Sequence, residues 1–364
     1  MRSGTGVLWQ LLEDLVGHER GSRLFRVLKI HPELAADPGP RVSRAVLAQA
    51  LNMLLFEDLL QRVPAAATYV DRTLSLGRTI LHDHGAVRTV AVEGMGALPA
   101  GQEAITRVLR PLGYGLNGVY PLERLRMTGR SYAQQDYPEE IAQFFISELH
   151  PERFSSQFQK AVKRVTESSA DPVTPEAAAL LKTLEKEREL SLQEAEALLP
   201  VLVKVFDRQH GVPALADYDA LLAESPEMAW IATEGNAFNH ATDRVPDVDR
   251  LSDELKAIKL PVKDVVEKSQ SGRVRQTALQ AAKVKRGFRC KDGSVIEREV
   301  PGSFYEFITR LRMPEKDGRS ALDLSFDSSN AQAIFKMTAG AKLPVGAKMT
   351  AGAKAEAKVP AGAK

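Results

Sequence analysis

Apolar side chains recur at helical spacing in the first part of the chain. The stretch SRAVLAQALNMLLFEDLLQRV (43–63) carries this pattern, with Ser43 as a candidate N-cap. The sequence PGP (38–40) interrupts the pattern immediately before it. We therefore predict that residues 1–63 are largely helical, with a break before the longest helix.

A second helical pattern occupies the middle of the chain, in EAAALLKTLEKEREL (176–190) and SLQEAEALLPVLVKVFDRQ (191–209). Ser191 followed by Glu194 is a capping-box pattern, which predicts that a helix begins there. The charged stretch around these segments, about 152–225, is predicted to be an inserted or flanking helical block.

Extended chain is predicted on both sides of this block. TILHDHGAVRTVAV (79–92) and IAQFFISEL (141–149) favour strands, with a helix near 101–110 between them. WIATEGNAFNHATDRV (230–245) is expected to be extended at least in part. FYEFITRLRM (304–313) is expected to be the last clear strand.

A β-hairpin is predicted late in the chain. VKRGFRC (284–290) and SVIEREV (294–300) flank KDG (291–293), a typical turn sequence. The order of patterns along the chain is then helical, sheet, helical block and sheet. This order predicts an α+β fold with a mostly antiparallel sheet.

The composition resembles that of an average soluble globular protein, with 44% apolar and 26% charged residues in 364. The single cysteine, Cys290, excludes an internal disulfide and a cysteine-rich zinc site. No apolar run approaches the about 20 residues that a transmembrane helix needs. Residues 1–20 lack the apolar core and cleavage site of a signal peptide. We expect a cytoplasmic protein that does not interact with membranes.

The C-terminal residues repeat a Gly-Ala-Lys motif, as MTAGAK twice and as LPVGAK and VPAGAK. Residues 336–364 contain six lysines and one glutamate, a charge of +5 against +2 for the whole chain, which leaves −3 for residues 1–335. We expect residues 339–364 to be disordered, because they have few large apolar groups to bury. The mildly acidic remainder is not expected to bind nucleic acid.

Two of the histidines stand in unusual contexts. His84 and His240 are flanked by small and polar residues rather than by core aliphatic residues. If the chain is extended near the first of them, His84, Ala86 and Arg88 share one face, which suits a metal at one end and an anionic group at the other. The remaining histidines apart from His82 are expected at the surface or at helix ends: His18, His31, His150 and His210.

Glu306 interrupts the apolar stretch FYEFI. By alternation it shares a strand face with Phe304 and Arg310. Burial of an unpaired carboxylate is costly, so either a metal ion or a salt bridge to Arg310 is expected to compensate it. Two histidines and one carboxylate form the facial triad typical of non-haem Fe(II) oxygenases. His84, His240 and Glu306 are therefore candidate ligands, although spacing alone favours the salt bridge to Arg310 for Glu306, because buried charges are usually paired.

Five segments, in this order, resemble the 2-oxoadipate dioxygenase/decarboxylase family, also called hydroxyglutarate synthase. The resemblance covers most of residues 40–338 and does not extend to the repeat tail. The segments are DHGAVRT (83–89), GRSYAQQDYPEEIAQFFISELHPERFS (129–155), FNHATDR (238–244), PGSFYEFITR (301–310) and FDSSNAQAIFKMT (326–338).

The resemblance implies a fold similar to the vicinal oxygen chelate superfamily, in which paired βαβββ modules close around a metal. It assigns the family's metal ligands to His84, His240 and Glu306, and its arginine to Arg88. The helical block then becomes an insertion between the modules. The whole of residues 1–338 is expected to form a single catalytic domain.

The resemblance also implies an activity. Fe(II) and O₂ are expected to convert 2-oxoadipate, or a similar 2-oxo acid, into 2-hydroxyglutarate and CO₂, a step of lysine catabolism, and Zn, Ni or Mn are alternative metals in purified protein. A redox-neutral isomerase or lyase on the same fold, and a non-catalytic binding protein, are the competing hypotheses. Arg88 is expected to hold the distal carboxylate of the substrate, with a pair to a protein carboxylate as the alternative.

His82 is the alternative to His84 as a metal ligand, since it is predicted to lie on the same strand face two residues away. A further set of residues is expected to orient the metal ligands: Asn239, Ser303, Tyr305 and Arg310.

Overall fold

The computed structural model describes residues 6–269, 272–314 and 320–327. The helices of these residues are α1 (Val7–Val16), α2 (His18–Val27), α3 (Pro32–Ala36), α4 (Arg44–Arg62), α5 (Pro64–Ser75), α6 (Glu103–Leu109), α7 (Ser156–Thr166), α8 (Pro175–Glu187), α9 (Leu192–Val205), α10 (Leu215–Glu224), α11 (Pro226–Glu234) and α12 (Val248–Ala257).

The strands are β1 (Arg41–Ser43), β2 (His82–Val90), β3 (Tyr114–Leu122), β4 (Met127–Gln134), β5 (Gln143–Leu149), β6 (Glu189–Ser191), β7 (His240–Arg244), β8 (Glu267–Lys268), β9 (Val274–Ala278), β10 (Lys283–Arg289), β11 (Val295–Pro301), β12 (Phe304–Arg310), β13 (Arg312–Pro314) and β14 (Ser320–Leu322).

One eight-stranded sheet, in the order β3-β4-β5-β2-β7-β12-β9-β8, forms the centre of the protein. Its pairs are antiparallel except for β2 with β5 and β7 with β12, which are parallel. The expected α+β fold with a mostly antiparallel sheet is confirmed.

The sheet consists of two modules that meet at the antiparallel β2–β7 pair. In the first, β2, α6, β3, β4 and β5 follow one another, and the last strand returns to pair with the first. In the second, β7, α12, β8, β9 and β12 follow the same order, and β12 pairs with β7. The β10–β11 hairpin is inserted before β12 and forms a separate two-stranded sheet. The paired βαβββ arrangement therefore describes the observed topology.

Helices α1, α4 and α9 pack together beneath the sheet. Helix α4 is buried on most of its circumference, in agreement with the long apolar pattern of its sequence. Ser43 caps it as predicted, because its hydroxyl accepts a hydrogen bond from the Val46 amide at 3.2 Å. Within the described residues, no helix combines the length and apolar character that crossing a bilayer requires.

The middle of the chain is helical, as predicted. Helices α7 to α10, with the short strand β6, fill most of residues 152–225. The capping box at the start of α9 is present, since the Ser191 hydroxyl accepts from the Glu194 amide and the Glu194 carboxylate accepts from the Ser191 amide. The predicted β10–β11 hairpin also forms, with Gly293 in the left-handed region at its turn.

The segment 230–245 is extended in part, as predicted, because β7 lies within it, whereas residues 230–234 are helical, since Ser225 caps a helix that opens with Pro226 and buries its apolar side chains. Two other local predictions are wrong. The strand at 304–313 is not the last, because it breaks at residue 311 and β13 then pairs with β14. His210 is buried rather than at the surface, with Nε2 3.0 Å from the Ala232 carbonyl oxygen. The predicted tail, residues 339–364, lies outside the described residues.

Strand β2 comes so close to a neighbouring ring that one of its positions must be glycine. A Cβ atom on residue 85 would lie 2.2 Å from Cζ of Phe238. That ring has no space to retreat, because it contacts the rings of Phe144 and Phe206 at centroid distances of 5.8 and 5.9 Å. We conclude that Gly85 lets Phe238 close the back of the sheet directly behind His84.

Gly85→Ala should therefore lower the free energy of unfolding by about 1–3 kcal/mol, the usual cost of overpacking a core. Gly287→Ala is the matched control, since a Cβ there would meet only the rotatable Val295 side chain, at 3.1 Å. Urea denaturation of both variants measures the difference. Equal stability of the two variants would show that the Phe238 ring moves aside at little cost.

Candidate metal centre

The three predicted ligands lie side by side on neighbouring strands. In β2, β7 and β12, Thr242 is paired in register with both His84 and Glu306, while His240 is paired with Ala86. Because side chains of a strand alternate between faces, His84, His240 and Glu306 all project from the same face of the sheet. The structure thus brings together groups that are 156 and 66 positions apart in the sequence.

The donor atoms of these three residues converge. Nε2 of His240 is 3.0 Å and Nε2 of His84 is 3.6 Å from Oε2 of Glu306. One ligand atom from each residue lies within 4.8 Å of the other two, and all three side chains are buried. Metal–ligand bonds of about 2.1 Å at right angles put neighbouring donors about 3 Å apart. The two distances to Oε2 of Glu306 are therefore close to those between adjacent ligands of one ion.

Each imidazole is oriented by a neighbouring acceptor. Nδ1 of His84 is 2.9 Å from Oδ1 of Asp83, and Nδ1 of His240 is 3.1 Å from Oδ1 of Asn239. These contacts orient both rings so that Nε2 faces Glu306, and a proton on Nδ1 would leave Nε2 as the metal-binding atom. The expectation that Asn239 lies where it can orient a ligand agrees with this contact.

The electrostatics of the site favour an anionic Glu306. Burial alone would raise the pKa of its carboxyl group, but the charges and hydrogen bonds of His240 and His84 outweigh burial and lower the pKa to about 2. For His84, burial acts to lower the pKa, but the contacts with Asp83 and Glu306 outweigh burial and raise the pKa above its ordinary value. The pKa of His240 is lowered, mainly by burial. A cation at this position would compensate the buried carboxylate.

The second oxygen of Glu306 strengthens the case that this site binds a cation. Oε1 is buried and has no hydrogen-bond partner among the described residues. An ionised carboxylate oxygen without a partner is costly in the interior of a protein. The two histidines and the carboxylate are also the donor set of non-haem iron sites. The residues present thus fit a divalent transition metal.

Thr242 is part of the site, although the sequence analysis did not single it out. Its hydroxyl donates to Oε2 of Glu306 at 3.1 Å and lies 3.2 Å from Nε2 of His84. The sequence contained a hint of this position, because Thr242 lies two residues after His240 and side chains two residues apart in a strand share one face.

The prediction that His82 shares a face with His84 is wrong. The β2–β7 pairing shifts at this point, so that Asp83 is an extra, bulged residue and the alternation is reset. The His82 ring points to the opposite, helix-covered side, 5.1 Å from the Phe56 ring centroid. Burial lowers its pKa to about 3, and neither ring nitrogen has a hydrogen-bond partner among the described residues.

The alternative in which Arg310 neutralises Glu306 is also wrong. Nη2 of Arg310 lies 2.9 Å from Oδ1 of Asp83, and both side chains are almost fully buried. Arg310 therefore pairs with the carboxylate that orients His84. The hydrogen bonds and charges of Arg310, His84 and Arg244 keep the Asp83 pKa well below its usual range, although burial opposes them.

Ser303 and Tyr305 are not placed to orient the ligands, which corrects the prediction for both. The Ser303 hydroxyl donates to the Phe238 carbonyl oxygen at 2.7 Å, behind the sheet. Tyr305 alternates to the face opposite Glu306, where its ring packs against Phe56. Both residues lie close to Glu306 in sequence, but strand alternation turns Tyr305 away from the site, and Ser303, just before β12, bonds to backbone instead.

Arg88 lies further along the face that carries His84 and Ala86. It is buried, with Cζ 4.9 Å from the centre of the Trp230 ring. Burial lowers its pKa to about 10, partly opposed by the charge of Glu227. The guanidinium is therefore still protonated at neutral pH.

A pocket opens directly onto the ligand atoms and offers space beside them. A larger groove, between α5 and α12, contains none of the predicted ligands. The pocket at the metal centre is lined by His84, Ala86, Val87, Phe145, Ser147, Asn239, His240, Gln276, Glu306, Phe326 and Asp327.

Solved structures with a similar fold include two whose matches cover most of this chain. A glyoxalase superfamily protein from Ralstonia eutropha JMP134 is 53% identical, with a TM-score of 0.83 over 88% of this chain and 98% of the other. Hydroxyglutarate synthase from Oryza sativa, solved with 2-oxoadipate, is 19% identical, with a TM-score of 0.62 over 84% of this chain and 97% of the other. The vicinal-oxygen-chelate-like fold is thereby confirmed.

Sequence comparison leads to the same group of proteins. The chloroplastic 2-oxoadipate dioxygenase/decarboxylase of Arabidopsis thaliana is 26% identical over 219 residues, or 54% of this chain. The chain spans about half of that relative, since the match covers 51% of it. The family model described as 2-oxoadipate dioxygenase/decarboxylase matches residues 49–351. Because this match extends over most of its length, the chain belongs to the 2-oxoadipate dioxygenase/decarboxylase family.

Proposed function

We propose that this protein is a metal-dependent dioxygenase that decarboxylates 2-oxoadipate, or a similar 2-oxo dicarboxylic acid, to 2-hydroxyglutarate. One molecule of O₂ is consumed and the C1 carboxyl group leaves as CO₂, so that all atoms of 2-oxoadipate and O₂ are found in the two products. The observation that carries the proposal is the convergence of two imidazole nitrogens and one carboxylate beside an open pocket. Family membership supports the same activity.

His84, His240 and Glu306 are the proposed ligands, and Fe(II) is the proposed metal, with Zn, Ni or Mn as substitutes in purified protein. Three ligands on one side leave positions open for a chelating 2-oxo acid and for O₂. When bound, the metal supplies the redox chemistry and a template for the 2-oxo acid. Asp83 and Asn239 keep the ligand nitrogens aimed at one point, and Thr242 holds Oε2 of Glu306.

The walls of the pocket restrict access of water. Phe145 and Phe326 contribute aromatic rings to the lining, and their ring centroids are 4.9 Å apart. An apolar surround protects reactive species from solvent and strengthens the polar interactions inside. The polar side chains of Ser147 and Gln276 face the same space and can position oxygen atoms of the substrate.

Arg88 is the proposed partner of the distal carboxylate. It shares the strand face of His84, and at a rise of roughly 3.3 Å per residue their Cα atoms are about 13 Å apart. A six-carbon diacid and an arginine side chain together bridge such a separation. Ala86, which lies between them, is small and lines the pocket.

We further propose that residues 1–338 act as one catalytic domain in a reducing, cytoplasmic setting, with the 2-oxo acid and O₂ as its small-molecule partners. The support is that one sheet, built from both modules, supplies all three proposed ligands.

Anaerobically purified protein loaded with Fe(II) should consume O₂ and release CO₂ in equal amounts when 2-oxoadipate is added. An oxygen electrode, CO₂ trapping and chromatography of 2-hydroxyglutarate measure the three quantities. Chelation of the metal should abolish all of them, and Fe(II) should restore them. Conversion without O₂ consumption would replace the proposal with a redox-neutral isomerase or lyase, and metal and ligand binding without conversion would leave a binding protein.

His84→Ala should lose bound metal, whereas His82→Ala should retain it. The two positions carry the same residue type two places apart, but the bulge at Asp83 turns them to opposite faces. Metal per chain after anaerobic reconstitution, measured by elemental analysis, gives the answer. Retention of one equivalent of iron by His84→Ala would exclude this residue as a ligand, and thermal unfolding of both variants controls for loss of the fold.

Arg88→Ala should raise KM for 2-oxoadipate far more than KM for 2-oxohexanoate, which has the same chain length but no distal carboxylate. Loss of a charge-assisted hydrogen bond of about 1.5–3 kcal/mol corresponds to a factor of about 10 to 150. Steady-state O₂ uptake with both acids measures the ratio. Equal effects on the two substrates would instead assign Arg88 a structural role.

A further inference from the structure

We propose that Arg310 is a positioning residue that links the His84 imidazole to residues 323–327, a segment that contributes Phe326 and Asp327 to the pocket wall. Metal binding and the ordering of this segment are then coupled. The juxtaposition that carries the proposal is a single buried guanidinium between the carboxylate that orients His84 and the backbone of that segment. The inference rests on the proposed role of His84 as a metal ligand.

Toward the sheet, Arg310 holds Asp83. Its Nε is 3.0 Å from both carboxylate oxygens, and its Nη2 is 2.9 Å from Oδ1. The same Oδ1 lies 2.9 Å from Nδ1 of His84. Nε of Arg244 approaches Oδ2 at 3.0 Å, on the other side of the carboxylate. The imidazole is therefore aimed by an acid whose own position is set mainly by Arg310.

Toward the pocket wall, the other end of the guanidinium holds two backbone carbonyls. Nη1 of Arg310 donates to the oxygen of Asp323 at 2.9 Å and to that of Ser325 at 2.6 Å. Its Cζ lies 4.7 Å from the centre of the Phe326 ring. That ring meets the His84 ring edge-on at a centroid distance of 4.8 Å. The segment thus touches the ligand through both Arg310 and Phe326.

The two sets of contacts depend on each other. A planar guanidinium can serve a carboxylate and two carbonyls at the same time, whereas a lysine ammonium cannot reproduce this fork. If residues 323–327 move away, Nη1 of Arg310 loses two buried hydrogen-bond acceptors. If Asp83 moves, Arg310 is no longer held in the position from which it binds this segment. A ligand that fixes His84 should therefore also fix residues 323–327, and the coupling must act equally in both directions.

Asp323 provides a way to loosen the segment without touching the metal ligands. Its Oδ1 accepts hydrogen bonds from the Ser325 amide at 3.1 Å and from the Ser325 hydroxyl at 2.5 Å. This turn aims both carbonyls at Arg310. The same Asp-x-Ser turn occurs in the β10–β11 hairpin, where Asp292 accepts from the Ser294 amide at 3.0 Å and the Ser294 hydroxyl at 2.7 Å. Asp292→Ala is therefore a matched control.

The test is titration of the full-length chain with Co(II), followed by its visible absorbance, in wild type, Asp323→Ala, Arg310→Lys and Asp292→Ala. We expect the first two variants to bind Co(II) about 10- to 100-fold more weakly, the usual effect of removing groups that orient a ligand. Asp292→Ala should bind as wild type does. Near-ultraviolet circular dichroism selects a temperature at which every variant is folded.

Hydrogen exchange supplies a readout that a loss of stability alone does not produce. In wild type, Co(II) should slow amide exchange in residues 320–327, and Arg310→Lys should remove most of this metal-dependent protection. Exchange of 320–327 that is the same with and without Co(II) overturns the proposal even if a variant does not fold.

The outcomes also separate this inference from the proposed function. If wild type binds Co(II) and Asp323→Ala binds it equally well, the coupling is refuted and the metal centre stands. If wild type binds no Co(II), the metal centre is refuted and the coupling with it. Weaker binding by Asp292→Ala as well would mark the effect as general and would also overturn the coupling.

Discussion

The hydrogen-bond register between β2, β7 and β12 is the constraint on which the rest of the structure depends. It aligns Thr242 with His84 on one side and with Glu306 on the other, and so puts three ligands on one face. A shift of one residue in either pairing would turn a ligand toward the helices. The close contact of Gly85 with Phe238 and the bulge at Asp83 both oppose such a shift, because each suits only one alignment.

The site also depends on how its buried charges are compensated. Asp83, Glu306 and Arg310 are all nearly inaccessible to solvent, and an isolated buried ion costs several kcal/mol. Asp83 and Arg310 compensate each other and extend the compensation to Arg244 and to two carbonyl groups. Among the described residues, Glu306 is balanced only by the two imidazoles and Thr242, so a cation at this position would compensate its charge.

Local sequence patterns predicted the helices α4 and α9, their caps and the β10–β11 hairpin, because these depend on residues close in sequence. The three proposed ligands were singled out by their sequence context and by motif resemblance, and the structure brings their ligand atoms together. The side to which His82 points was missed, since one bulged residue resets strand alternation without leaving a local signal. The partner of Arg310 was missed because it is 227 positions away.

The division of the site between the two modules has a consequence for how the protein is made. His84 belongs to the first module, whereas His240 and Glu306 belong to the second. Translation runs from the N-terminus, so the first module leaves the ribosome carrying His84 before the other two proposed ligands have been synthesised. The centre cannot assemble until β12, almost at the end of the described chain, has emerged. A metal held by the three proposed ligands would therefore be acquired only after β12 has been synthesised, and a product truncated before β12 would lack one of the ligands.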